Sequence, residues 1–143
     1  MTMTNVRAGD ASGEVTPSMR FGRVVFTIAG VWGLLIMTPL YFAFDAVGRA
    51  YPPPITHPDL YFGFIGVTLA WQIAFLVIAT NPVRYRTIML AGILEKLLYV
   101  GTIIALYLQG QMQLGQAAAI SIPDGALGLL FVASFFKTPA SNA

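Results

Sequence analysis

Four polar side chains stand inside stretches that otherwise avoid polarity: Gln72, Glu95, Lys96 and Asp124. Two of them are sequence neighbours, at the centre of residues 92–101, GILEKLLYVG. A carboxylate in apolar surroundings can carry a proton or accept hydrogen bonds from a ligand, an ammonium can hold an anion, and an amide can donate and accept. In a bilayer core each charged group costs on the order of 2.5–3.5 kcal/mol on an insertion scale, so such groups concentrate at functional sites. A second polar set, Asp45, Arg49, His57 and Asp59, surrounds the proline-rich stretch GRAYPPPITHPDLYFG. What these residues can do depends on the elements that carry them.

Composition decides the surroundings. Of 143 residues, 57% are hydrophobic and only 10% charged, a balance that water does not tolerate. A bilayer core of about 30 Å needs about 20 apolar residues per helix. Runs of that length lie at about 24–46, 60–80, 87–108 and 117–136. They are apolar all round, which excludes the one-sided stripe of a soluble bundle. The expected fold is all-α: an integral membrane four-helix antiparallel bundle, up-down-up-down, over residues 22–137. Residues 1–21 and 138–143 are small and polar and are expected to be flexible tails. The first run follows some twenty polar residues and exceeds the length of a signal-peptide core, so it is expected to be retained.

Lysine and arginine near the helix ends set orientation. Arg7, Arg20 and Arg23 precede the first run, Arg84 and Arg86 lie in NPVRYRT between the second and third, and Lys137 follows the fourth. All fall on one side, and only Arg49 falls on the other. Both termini are therefore expected in the cytoplasm. The formal charge of +2 follows from this bias, and no basic, aromatic-interleaved stripe indicates a nucleic-acid partner.

The chain has no cysteine and one histidine, His57. Disulfide and thiolate chemistry is excluded, and the pair of axial imidazoles of a membrane haem cannot be supplied. No cofactor, no metal site and no catalytic motif is expected. His57, Pro58 and Asp59 open the second helix, with Thr56 as its cap, and the adjoining prolines favour a stiff extended loop or a docking lid.

The short NPVRYRT connection predicts that the second and third helices are antiparallel neighbours. Small residues at packing distance (Gly66, Ala70 and Ala74; Gly101 and Ala105; Ser121 and Gly125) predict the seams between helices. Pro39 and Pro123 should kink or break their helices and so favour a pocket. Tyr41, Tyr61, Tyr99, Tyr107, Trp32 and Trp71 suit interfacial belts or packing.

At about 1.5 Å rise per residue, Gln72, Glu95, Lys96 and Asp124 all fall within roughly 5–6 Å of the midplane. Successive helical residues point about 100° apart, so Glu95 and Lys96 are expected to seek separate partners. Lys96 with Asp124 and Glu95 with Gln72 would satisfy the set, leaving Glu95 as the carboxylate best placed to carry a proton. The plainer alternatives are a network that fixes helix register, a Lys96 stem extended toward the cytoplasmic interface, and Asp124 as cap of a helix that restarts after Pro123.

The order HPDLYFGFIGVTLAWQ, NPVRYR, an EK pair and PDGALGLLF resembles small bacterial inner-membrane proteins of four helices, loosely those of the DoxX-like group, over residues 20 to 137. The resemblance implies a four-helix fold in a bacterial inner membrane and assigns no functional residue. The small multidrug transporters fit less well, because their essential glutamate lies in the first helix. Three roles remain, in order: an accessory or scaffold subunit of a membrane complex; a binder or modifier of a lipid-soluble small molecule in a pocket between helices; and an oligomeric proton-coupled transporter using Glu95.

Overall fold

The computed structural model describes residues 17–51 and 54–140. Five α-helices follow in order: α1 (Pro17–Met37), α2 (Phe44–Ala50), α3 (Pro58–Thr80), α4 (Arg86–Leu108) and α5 (Leu114–Lys137), with a 3-10 turn at Thr38–Phe42 between α1 and α2. Four segments are long and apolar enough to cross a membrane: Met19–Phe42, Pro58–Thr80, Arg86–Leu108 and Leu114–Lys137. The chain is a multi-pass, all-α membrane protein, and the outward faces of its helices meet lipid.

α1 begins ahead of the expected position. Residues 17–21 are helical because Phe21 packs against the core while Arg20 and Arg23 remain exposed, so one turn serves both environments. Arg23 Nη2 donates to the carbonyl of Thr80 at the end of α3, 3.2 Å away. At the other end α1 stops at Met37, short of residue 46, because Pro39 has no N–H and cannot continue the helix. Just past the break the Leu40 carbonyl is satisfied twice: the Tyr61 hydroxyl and the Ala43 N–H both donate to it, at 2.9 and 3.2 Å. In lipid such a break survives only when partners of this kind are present. Tyr41, Phe44, Tyr61 and Phe62 stack around it.

Pro123 behaves differently. α5 runs through it from Leu114 to Lys137, neither broken nor restarted, so Asp124 caps nothing. The helix opens on a capping box at Gln113 and Gln116, an N-terminus the sequence reading did not place. At its far end Thr138 is buried, not part of a tail. Arg86 Nε donates to the carbonyls of Phe135 and Thr138 at 3.2 and 2.9 Å, and its guanidinium lies 3.8 Å from the centre of the Phe135 ring. Those carbonyls lack helical donors, and a cation beside them also suits the helix dipole.

Neighbouring helices are antiparallel and follow one another around the bundle in chain order, but the seams between them are unequal. Arg23 meets Thr80 and Gly30 meets Leu76 and Gln72, which pairs α1 with α3. Gly92 meets Phe131 and Arg86 meets Phe135, which pairs α4 with α5. α1 also packs on α5, where Phe26 and Phe131 stack with ring centres 4.3 Å apart. The bundle therefore runs α3, α1, α5, α4, and it closes only loosely between α4 and α3. The short turn holds the two ends of α3 and α4 together but does not zip their lengths.

Glycine placement explains which of these contacts are close. A Cβ at Gly30 would stand 2.9 Å from the Gln72 carbonyl oxygen, one at Gly92 3.0 Å from Phe75, and one at Gly128 3.3 Å from the Lys96 Cβ. These are the seams. Gly101 and Gly125, expected there from spacing, have nothing within 4 Å of a would-be Cβ, and Ala70 and Ala105 are exposed. Spacing finds a smooth helix face but not what covers it.

The solid core fills the half of the bundle nearest Arg23, Arg86 and Lys137. Phe26, Phe75 and Phe131 are fully buried and mutually packed, with Val25, Ile78 and Met89 around them.

Candidate functional site

The opposite half is hollow. A cavity of about 260 Å³ lies between all four spanning segments, which contribute Trp32 and Gly33, Thr68 and Gln72, Glu95 and Tyr99, and Pro123 and Asp124. All four intramembrane residues singled out from the sequence, Gln72, Glu95, Lys96 and Asp124, line it. They converge because each sits near the middle of its helix and the antiparallel pairing brings those middles to one level.

Lys96 is the hub. Its Nζ donates to Asp124 Oδ1 at 2.8 Å, the cross-helix contact expected from depth. It also lies 3.3 Å from Glu95 Oε2, so the two sequence neighbours do pair, contrary to the expectation from helical angles. The reason is the lysine stem, long and flexible enough to bring its head between two carboxylates whose own directions differ. Lys96 does not extend toward the interface: its side chain is 7% exposed, against 19% for Glu95 and 20% for Asp124. The Phe75 ring, with its centre 5.7 Å from Nζ, floors the site.

Glu95 does not reach Gln72. Because α3 leans on α1 and away from α4, the Gln72 amide turns toward Gly33, where only the missing Cβ leaves room. Gln72 Nε2 donates to the Thr68 carbonyl one turn earlier at 3.1 Å. Glu95 Oε2 is thus buried with an ionic neighbour but no hydrogen bond.

The second polar set does not assemble. Asp45 and Arg49 lie on α2, both exposed, and make no ion pair among the described residues. His57, not Thr56, stands at the N-cap of α3, without a capping hydrogen bond from its side chain. Pro58 and Asp59 occupy the first turn, as their types suggest. The loop prolines Pro52 and Pro53, and Arg7 in the N-terminal segment, lie outside the described residues. Among the described residues no three His, Asp or Glu side chains gather as a metal site.

Several lining residues were missed or misassigned. Tyr99 and Trp32 face the cavity instead of serving only as belt aromatics, and Thr68 joins them. Two were within reach of simple spacing: Tyr99 follows Glu95 by one helical turn, and Thr68 precedes Gln72 by one, so each shares a face with a residue already identified. Trp32 and Gly33 carry no such signal.

No known family, curated protein or solved structure matches this chain. The chemistry of the site therefore rests on its own geometry: an apolar chamber whose one ammonium is engaged by two partly open carboxylates.

Proposed function

We propose that this protein binds a lipid-soluble small molecule within its helices. The observation that carries this reading is the cavity of about 260 Å³ that gathers Gln72, Glu95, Lys96 and Asp124 under walls of aromatic and aliphatic side chains. A concave, mostly apolar chamber with a few convergent polar groups is the usual form of a small-molecule site. A network serving only helix register would be close-packed, since interiors without a ligand role leave few voids. Of the three roles weighed from the sequence, binding is the one whose required feature the described residues contain, and it moves ahead of the accessory-subunit reading.

Native mass spectrometry of protein extracted in mild detergent tests it. The parent should retain a small-molecule adduct, and Ala119→Phe, which adds a ring to the cavity wall, should lose it while remaining folded. Parent protein that carries no adduct and is not stabilised by any lipid-soluble compound in a broad panel would end the binding reading.

We also place the protein in a bacterial inner membrane with both termini in the cytoplasm. Support comes from the gathering of Arg20, Arg23, Arg84, Arg86 and Lys137 at one end of the bundle. The cysteine-free chain makes the test clean. In intact spheroplasts, Arg49→Cys should react with a membrane-impermeant maleimide and Lys137→Cys should react only after lysis. The opposite labelling pattern would invert the topology.

A further inference from the structure

A second hollow lies beside the cavity. A groove of about 450 Å³ runs between α3 and α4, where the two helices part, and it is edged by the exposed chains of Val67, Leu94 and Leu98. Phe64, Thr68, Glu95 and Tyr99 line both the groove and the cavity, so the two spaces adjoin along these four side chains. Phe64 from α3 and Tyr99 from α4 stack across the junction with ring centres 6.0 Å apart and planes 25° from parallel.

The polar end of this space is acceptor-rich. Among the described residues Lys96 is the only cation lining the cavity, and its head is turned onto Glu95 and Asp124, which are the more open of the three. A molecule in the cavity therefore meets carboxylate oxygens before it meets the ammonium. Pro123 lies in the same wall, as does Ala119 one turn earlier, to whose carbonyl it offers no N–H. Trp32 and Tyr99 border the same space, and a cation over an aromatic ring is attracted to it.

Building on the binding role proposed above, we infer that the ligand is a single-tailed amphiphile with an ammonium head, loaded sideways from the bilayer. Its head lies against Glu95 and Asp124, its tail lies in the α3–α4 groove, and the Phe64–Tyr99 pair is the gate between them. The groove favours a tail over a second protein helix because it adjoins a polar chamber, which an alkyl chain with a charged end can fill and a helix cannot.

The two tryptophans of the chain report the two compartments separately, Trp32 in the cavity and Trp71 in the groove. The test uses full-length protein in nanodiscs of unbrominated lipid, with Trp71→Phe and Trp32→Phe variants each leaving one reporter. Alkylamines, alkanoates and alkanols of one chain length, brominated either near the head or near the tail end, are titrated as a fraction of total lipid. The expected result is saturable quenching by the amine alone: head bromine quenching Trp32, tail bromine quenching Trp71, with at least about tenfold preference over the alkanoate. Phe64→Ala should speed the approach to saturation. Saturation by alkanoate or alkanol instead of amine overturns the ammonium class and leaves the binding role standing. Amine quenching of Trp32 with no tail quenching of Trp71 beyond that of brominated bulk phospholipid overturns the sideways route. Absence of saturable Trp32 quenching by every amphiphile overturns the inference, and the binding role is then decided by the native mass spectrometry and compound panel described above. Should either variant fold poorly, thermal shifts of the unaltered protein with the same panel decide the class, and the same ranking is expected.

Discussion

Replacing Lys96 with methionine should lower the stability of the folded bundle by about 3–5 kcal/mol, the loss typical when one partner of a buried ion pair is removed. The substitution keeps an unbranched side chain of similar length but leaves Asp124 and Glu95 facing each other across the cavity without the ammonium that now lies 2.8 and 3.3 Å from them. Because the Lys96 side chain is only 7% exposed, water does little to replace it. Reversible unfolding in mixed micelles measures the effect. The double variant Lys96→Met/Asp124→Leu should recover a substantial part of the loss, since it removes one stranded charge along with its partner. An unfolding midpoint unchanged in Lys96→Met would show that the carboxylates are solvated through the cavity and that the ion pair contributes nothing to stability.

Gly30→Ala is the second large effect, in the range of about 1–3 kcal/mol for overpacking. The added methyl would lie 2.7 Å from Leu76 Cγ and 2.9 Å from the carbonyl oxygen of Gln72. Leucine can rotate away, but the backbone of α3 cannot, so α1 and α3 must separate. That displacement also shifts Gln72, so loss of ligand-dependent stabilisation should accompany loss of intrinsic stability. Gly101→Ala and Gly125→Ala provide the contrast: neither new methyl would have a neighbour within 4 Å, and both proteins should be at least as stable as the parent. Thermal denaturation of the three variants side by side distinguishes the observed seam from the one expected from spacing, and a reversed ranking would restore the latter.

That contrast shows where the sequence was legible. The number of spanning helices followed from length and apolarity, because a bilayer demands both and this chain has few other ways to meet them. The meeting of Lys96 with Asp124 followed from depth, since two charges at one level of an antiparallel bundle have strong reason to find each other. How tightly each pair of neighbours packs did not follow. The short turn between α3 and α4 pointed to close packing there, yet contact along a helix is decided by where side chains are absent, and Gly30 and Gly33 draw α3 onto α1 instead. The two prolines were equally opaque. Pro39 and Pro123 have the same local chemistry, but α1 ends at the first and α5 continues through the second. Glu95 was assigned the wrong partner because helical angles fix where a Cβ points and not where a four-carbon stem ends.

The three stacked phenylalanines at the arginine-bearing end have a consequence for traffic across the membrane. Phe26, Phe75 and Phe131 are fully buried and lie directly beyond the cavity, with Lys96 poised over one of their rings. A molecule admitted through the gap between α3 and α4 reaches a dead end: the chamber is a cup with a stopper, not a conduit. To let anything through, α1 would have to come away from α5 and pull apart rings whose centres are 4.3 Å apart. The architecture suits holding a guest at mid-membrane and returning it to the side from which it came.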